Sequence, residues 1–262
     1  MAAELRRWVI RPCGLGSKDS GDAMTLELQR HVQKDGASPF YIDELIKCRR
    51  AKRGFTDKSV PTEVVRDILS IARFAPSSSN TQPWKCYVLT GKARERVVAA
   101  AVKNFNDNHD KLTPEYPFFP EPLHEPHLSV FTKFRGQLGD AQGVERSDKE
   151  SRRRDVARQF MFFGAPVGLI FTMDRKLVPA SFICYGAFLQ TVMLAAQGRG
   201  LDTLPQQIWS LQYQVLRKEL GIPESDMVVC GMCIGYADNG LPENNMALDK
   251  FGPEKFATFL DV

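Results

Sequence analysis

The sequence predicts an α/β or α+β fold in which helices cover both faces of one sheet. Segments with the pattern of strands alternate with segments with the pattern of helices along most of the chain. Of the 262 residues, 43% are hydrophobic and 10% aromatic, which is enough to fill a core. A chain of this length forms one large domain or two small ones, and it contains no internal repeat.

Charge and hydropathy exclude several classes of protein. The net charge is +4, well short of the concentrated charge of a dedicated nucleic-acid binder. No apolar run reaches the roughly 18 residues that a membrane span needs. The N-terminus, "MAAELRRWVIRPCGLG", lacks the continuous apolar region of a secretory signal. We therefore expect a soluble, unexported, cytoplasmic protein.

The cysteines predict reduced core thiols rather than disulfides, because most of them lie in apolar segments such as "FICYGAF" and "VVCGMCIG". Cys230 and Cys233 have CxxC spacing, but they lie within a strand-like run and have no second ligand pair. We expect no metal site. The six cysteines are Cys13, Cys48, Cys86, Cys184, Cys230 and Cys233.

The N-terminal part predicts an arm followed by the folded domain. Residues 1–38 are polar and weakly periodic, so we expect an arm that need not be fully ordered and a single domain over residues 39–262. Helical spacing of apolar residues from Tyr41 predicts a short helix. A second helix follows Pro61 and must end before Pro76.

The next segments predict a strand, a helix and an insertion. "KCYVLTG" reads as a strand closed by Gly91, and a helix follows over about 93–105. Residues 104–155 are rich in proline and aromatic residues and then in charge, which predicts a structureless insertion. It is either a functional lid or a solvated loop. Arg152–Arg154 is typical of a charged helix face.

The C-terminal half predicts two strands and two helices. "APVGLIFTMD" is continuously apolar, which indicates a strand buried on both faces, and "MVVCGMCIGYAD" reads as a further strand. Residues 181–197 form an apolar helix with hydrophobic side chains all round, and such a helix needs a cover on every side. The cover would be the sheet and a second subunit. A last helix is predicted over about 211–220.

Two segments contain binding groups. Arg49, Arg50 and Arg53 follow the first helix, and guanidinium forks match phosphate oxygens, although cations also stabilise a helix C-terminus. The segment "APSSSNTQPW" presents hydroxyls and amides that can hydrogen-bond the edge of a polar heterocycle. Its simpler interpretation is a turn with capping residues.

These two segments together identify a resemblance. "RRAKRGF", followed about twenty residues later by "ARFAPSSSNTQPWKCYVLTG", resembles the nitroreductase family of FMN-dependent NAD(P)H oxidoreductases. The resemblance covers roughly residues 41–262 and continues in "AAQGRGLDTLPQQ" and "LGIPESDMVVCGMCIGYAD". It implies an α+β fold, an α/β/α sandwich with a mixed, mainly antiparallel central sheet, and an intertwined homodimer with FMN at the subunit interface.

The resemblance also implies roles for single residues. Arg49, Arg50 and Arg53 would hold the FMN phosphate and pyrimidine edge, and Ala51 stands where the family commonly has serine. A loop would reach the flavin from the other subunit through Pro76, Ser77, Ser78 and Asn80. The segment beside the isoalloxazine N5, with a backbone N–H as its working group, would be Pro205, Gln206 and Gln207. Lys250 takes a tail position that is often arginine.

The implied activity is transfer of hydride from NAD(P)H through flavin N5 to a nitroaromatic or quinone-like acceptor by a ping-pong mechanism. No catalytic side chain is required, and NAD(P)H binds only transiently. The aromatic segment 116–134 would roof the acceptor. Alternatives are a reductive dehalogenase-like or flavin-modifying member of the superfamily, or a non-catalytic flavin-binding protein. A nucleic-acid binder is disfavoured, because the aromatic residues are not interleaved with the basic ones.

Overall fold

A computed structural model describes residues 39–145, 147–177 and 179–260. The predicted N-terminal arm lies outside the described residues. Within them, seven α-helices and four strands follow one another in this order: α1 (Pro39–Cys48), α2 (Thr62–Ala72), β1 (Lys85–Leu89), α3 (Gly91–Asn108), α4 (His127–Gln142), α5 (Lys149–Phe160), β2 (Val167–Asp174), α6 (Ser181–Gln197), β3 (Asp202–Gln206), α7 (Tyr213–Leu220) and β4 (Asp226–Gly235).

The four strands form one sheet in the order β1-β2-β4-β3, and every neighbouring pair is antiparallel. The parallel component is an isolated bridge between Ala51 and Thr203. Along β2 and β4, Phe171 pairs with Cys230 and Thr172 with Val228, so Val229 is an extra residue of the kind found in a β-bulge. The α+β prediction is confirmed.

Helices cover both faces of the sheet, as predicted. On one face, α2 and α6 pack on the sheet with buried residues such as Ile68 and Phe188. On the other face, Phe160 of α5 and Leu216 of α7 pack with Trp209. All ten residues of β4 are buried, since the strand lies between the two cores. In β2, seven of the eight residues are buried, so the prediction of a strand buried on both faces is confirmed for β2.

One prediction about the elements is wrong, and one strand was not predicted. Residues 104–155 are not structureless, because they contain α4 and the start of α5. Asp148 is the N-cap of α5, and its carboxylate accepts from the Ser151 N–H at 2.9 Å. Arg152–Arg154 lies in α5, as its charge pattern predicted. The strand β3 was not predicted. Its five residues include Pro205, and they pair with β4.

The cysteine prediction holds for the four described thiols that are free, at positions 86, 184, 230 and 233. Burial raises the pKa of Cys86 to about 12. Cys48 is disulfide-bonded, so the prediction is wrong for that residue, which ends α1 at the surface of the domain. Among the described residues, no helix has the length and apolar character to cross a membrane, and no His, Cys, Asp and Glu cluster could hold a metal ion.

Candidate functional site

The arginine cluster, residues 49–53, lies beside the start of β3. Ala51 forms a parallel bridge with Thr203, and the Lys52 N–H donates to the Thr203 carbonyl at 3.3 Å. The chain leaves α1 directly before these residues, with the Arg49 N–H still bonded to the Leu45 carbonyl. The backbone of the cluster is thus held against the sheet.

Positive charge is concentrated in this cluster, which contains three arginines and one lysine. Burial, and then Arg50, lower the pKa of Arg49, whose Nη1 lies 4.0 Å from the Met193 sulfur of α6. Burial is also the main cause that lowers the pKa of Lys52, with Asp202 acting against it and Arg50 with it. Arg49 and Arg50 form no ion pair within the described ranges. Such a cluster favours a bound anion.

Arg53 has different surroundings from its neighbours. Its guanidinium lies over the Phe134 ring of α4 at 5.3 Å. Burial lowers the Arg53 pKa, whereas the carboxylates of Asp155 and Glu243 favour its charged form. Its backbone carbonyl accepts from Arg158 Nη2 at 2.8 Å. Arg53 therefore links the cluster to the insertion helices, in addition to its predicted role at the phosphate.

The predicted N5 segment lies at the far end of β3. Pro205 and Gln207 are exposed, whereas Gln206 is buried. The Gln206 amide is used inside the protein, because Nε2 donates to the Gln159 carbonyl at 2.8 Å and Oε1 accepts from the Cys233 thiol at 3.0 Å. Only the backbone of Gln206 and the groups of its neighbours are available to a ligand.

The cluster and this segment are joined by the strand itself. Thr203 and Gln206 are three residues apart, about 10 Å at the usual rise of a β-strand. A ribityl phosphate could span that distance, and Arg49 and Arg50 would then face the phosphate while Pro205–Gln207 would face the ring. The residues of one chain thus fit one side of an FMN molecule.

The loop containing Pro76, Ser77, Ser78 and Asn80 is largely exposed. The Gln82 N–H donates to Ser77 Oγ at 3.0 Å, and the Ser78 N–H donates to the Cys184 sulfur at 3.3 Å. Asn80 has a φ of 57°, in the left-handed region that asparagine tolerates better than most residues.

Within one chain the loop and the arginine cluster lie apart. The loop contacts α6 at Cys184, and Arg49 contacts α6 at Met193. Nine residues of helix separate these two contacts, which is about 13 Å. The structure therefore places the cluster and the Pro205–Gln207 segment along one strand, β3, and leaves the predicted loop toward the other end of α6.

Lys250 is exposed on the segment that follows β4. The preceding residue, Asp249, forms an ion pair with Lys133 of α4 at 2.5 Å. This pair lowers the pKa of Asp249. The tail and Arg53 therefore both contact α4, one residue apart at Lys133 and Phe134.

Two site residues were missed by sequence reasoning. Lys52 donates to the Asn244 carbonyl at 2.7 Å, and the buried Asn244 side chain accepts from the Arg53 N–H at 2.6 Å and donates to the Gly54 carbonyl at 2.8 Å. Gly54 could have indicated that another segment packs closely here, because a Cβ at this position would lie 2.0 Å from Leu241 Cδ1. A glycine in a basic segment can mark such a close approach.

Comparison with known proteins identifies the family of this chain. The model of the nitroreductase family matches residues 46–236. The chain is 64% identical to a nitrobenzene nitroreductase of Ectopseudomonas oleovorans over 223 residues, which cover 85% of this chain and 98% of that protein. It is 62% identical, with the same coverage, to a chloronitrobenzene nitroreductase of Comamonas testosteroni.

Solved structures give the same result. An FMN and NADPH-dependent nitroreductase, NfnB of Sphigopyxis sp. strain HMH, superposes with a TM-score of 0.82 at 30% identity, over 84% of this chain and 99% of that one. NfnB of Mycobacterium smegmatis, solved with NADPH, gives 0.79 at 29% identity, over 83% and 97% of the two chains. This chain belongs to the nitroreductase family.

Proposed function

We propose that this protein is an FMN-dependent NAD(P)H oxidoreductase that reduces nitroaromatic compounds. The observation that carries the proposal is the position of Arg49 and Arg50, which form no ion pair with any described carboxylate and lie beside the strand that leads into Pro205–Gln207. Support comes from the 64% identity to a nitrobenzene nitroreductase. The dependence on FMN and NADPH of structurally similar proteins agrees with it.

Arg49 and Arg50 would bind the phosphate and the pyrimidine edge. FMN, when bound, supplies the redox chemistry by accepting a hydride from NAD(P)H and passing electrons to the acceptor. The positive charge of Arg50 would lie where negative charge accumulates on reduction, so it favours the reduced cofactor. The exposed backbone at Pro205–Gln207 would orient the ring. No side chain has to donate or abstract a proton for this role.

The protein would act as a homodimer, in which the loop at Pro76–Asn80 reaches the FMN held by the second copy. The separation of loop and cluster along α6 supports this arrangement. The apolar side chains exposed on α1 and α6 support it too, since Ile42 and Ile183 are 50% and 83% exposed in the single chain. A further exposed group lies in the C-terminal tail: Phe251, Phe256, Phe259 and Leu260. A second copy would cover these surfaces.

The acceptor would lie against an aromatic wall. Tyr116 packs on Phe118 and Phe182 with ring centroids 5.8 and 5.4 Å apart. Flat aromatic acceptors stack on such groups. Tyr116 and Phe118 belong to the insertion between α3 and α4, and Phe182 belongs to α6. The contribution of the insertion supports its interpretation as a roof over the acceptor.

The test is an anaerobic redox cycle on the purified protein. Flavin absorption should bleach on addition of NADPH or NADH and return when nitrobenzene is added. Bound flavin that is reduced but regains its colour only with oxygen would indicate a flavin-binding protein without nitroreductase activity. A protein that takes up no FMN would contradict the proposal altogether.

A further inference from the structure

The turn at Pro242–Asn244 lies against the arginine cluster and contains two adjacent buried polar residues. Asn244 is 4% exposed and Glu243 6%. Burying a polar side chain costs free energy unless the side chain forms hydrogen bonds inside the protein. The partners of these two side chains therefore show what the turn holds in place.

The amide of Asn244 uses its acceptor and both of its donors. Oδ1 accepts from the Arg53 N–H at 2.6 Å, and Nδ2 donates to the carbonyls of Gly54 and Asp238, each at 2.8 Å. Turning the amide over would bring Nδ2 to the Arg53 N–H, so that two donors would face each other. Only one orientation of the amide therefore fits, and in that orientation it holds the N–H side of Arg53.

Glu243 reaches the carbonyl side of Arg53 through Arg158, in the last turn of α5. Arg158 Nη2 lies 3.2 Å from Glu243 Oε1 and donates to the Arg53 carbonyl at 2.8 Å. Arg158 Nη1 lies 3.5 Å from the carboxylate of Asp155, and the guanidinium lies over the Phe163 ring at 5.4 Å. Two carboxylates and a ring thus fix the guanidinium that bonds Arg53.

Both peptide groups of Arg53 are therefore bonded to side chains. The preceding residue differs, because the Lys52 N–H bonds the Thr203 carbonyl of β3 at 3.3 Å. Holding the N–H and the carbonyl of one residue restricts its φ and ψ, and with them the direction in which its side chain leaves the backbone. A side chain whose direction is already fixed binds more tightly, since the ligand does not have to order it.

We propose that Asn244 and Arg158 are positioning residues of the FMN site, which fix the direction of the Arg53 side chain. This inference rests on the proposed function, because Arg53 would bind FMN together with Arg49 and Arg50. Neither positioning residue has to touch the cofactor, since each acts through the backbone of Arg53. One binding residue is thus held by two segments that are distant in sequence, α5 and the tail after β4.

A double-mutant cycle between Asn244 and Arg53 tests this. Fluorescence titration of the apo-protein measures the FMN affinity of Arg53→Ala, Asn244→Ala and the double variant. We expect a loss of roughly 30-fold for Arg53→Ala, which removes a charge-assisted contact, and of about fivefold for Asn244→Ala, which releases the Arg53 N–H. If Asn244 acts through Arg53, Asn244→Ala causes no further loss in the Arg53→Ala protein.

Asn245→Ala is the matched control. Asn245 is the next residue of the chain, and its amide donates to the carbonyls of Asn239 and Leu241 at 2.9 and 3.1 Å. Both acceptors belong to the tail itself. We expect Asn245→Ala to leave the FMN affinity unchanged, whatever its effect on Tm.

Arg158→Lys provides the same test if Asn244→Ala fails to fold. Lysine keeps a positive charge for Glu243, but its ammonium lacks the planar fork that bonds two acceptors at once. The FMN affinity of this variant should also fall about fivefold, and the loss should again disappear in the Arg53→Ala background.

Three results would overturn this inference and leave the proposed function intact: an unchanged FMN affinity in Asn244→Ala and Arg158→Lys, an unchanged affinity in Arg53→Ala, or an equal loss with and without Arg53. In the last case the two residues would act on the site independently of Arg53. An unchanged protein that takes up no FMN would overturn both.

Discussion

The two ends of α6 present different kinds of surface. At its C-terminal end, the arginine cluster is bonded to Thr203, Asn244 and the helix itself. At its N-terminal end, the loop from Pro76 to Asn80 touches the helix through one Ser78 N–H and is mostly exposed. The cluster is thus ordered by contacts within the chain, whereas most of the polar groups of the loop face solvent.

This difference teaches that a binding site can be divided along a helix. The apolar residues between and around the two ends, such as Ile183, are exposed in a single chain. A second copy that covers them would bring its loop to the cluster. The predictions below test each end in turn, from the largest expected effect to the smallest.

Ile183→Glu should have the largest effect, because it places a charge in the apolar surface that a second copy would cover. We expect monomers in sedimentation velocity and loss of bound FMN. Met161→Glu is the control, since Met161 is 45% exposed on the opposite face of the sheet. A dimeric Ile183→Glu protein that retains FMN would contradict the division of the site.

Arg49→Ala should weaken FMN binding by about 100-fold, the value of a lost charge-assisted contact to phosphate. Titration of the apo-protein with FMN, followed by flavin fluorescence, measures this. Arg66→Ala removes an exposed arginine of α2 and should leave the affinity unchanged. If the two variants bound FMN with equal affinity, Arg49 would not bind the FMN phosphate.

Asn80→Gly should weaken FMN binding by roughly fivefold, because it removes one hydrogen-bonding side chain and keeps the left-handed backbone. The same titration measures the effect. Ser79→Gly is the matched control, since Ser79 has a φ of 48° and no predicted contact with the flavin. The loop would have no part in binding if both variants bound FMN like the unchanged protein.

The smallest expected effect is a dependence of stability on pH, which arises from Lys52. Burial lowers the pKa of folded Lys52 below its ordinary 10.5, so the unfolded chain binds more protons between the two values. The free energy of unfolding of the apo-protein should therefore rise with pH in that window. We expect a gain in Tm below ~2 °C.

Thermal unfolding of apo-protein from pH 8 to 10.5 measures this rise, and Lys52→Met is the reference that lacks it. Bound FMN should reduce the rise, because a nearby phosphate raises the pKa of Lys52 again. The same slope in Lys52→Met and in the unchanged protein would assign the dependence to other groups.

Sequence reasoning found the elements with strong periodicity and the segments with concentrated chemistry. α6 was predicted at 181–197 and lies at Ser181–Gln197, because an apolar helix of that length has no other stable conformation in a small domain. The arginine cluster was recognisable from its charge alone. The residues of β3 were not, since Asp202 and Pro205 are poor strand formers and only pairing with β4 makes them a strand.

The remaining site features depend on contacts between distant residues. Asn244 contacts Arg53 across 191 positions of sequence, and Tyr116 reaches Val229 across 113. Each contact joins a side chain to a backbone group, and a backbone group leaves no pattern in the sequence. The bulge at Val229 has no sequence signature either. Such contacts become visible only when the sheet has placed both partners.

The proposed division of the site along α6 has a consequence for mixtures of variants. A chain defective in the arginine cluster still offers a sound loop, and a chain defective in the loop still offers a sound cluster. If two such inactive proteins exchange subunits at random, half of the pairs are mixed, and each mixed pair holds one site with both defects and one with none. About a quarter of the normal number of working sites would reappear from two preparations that have none.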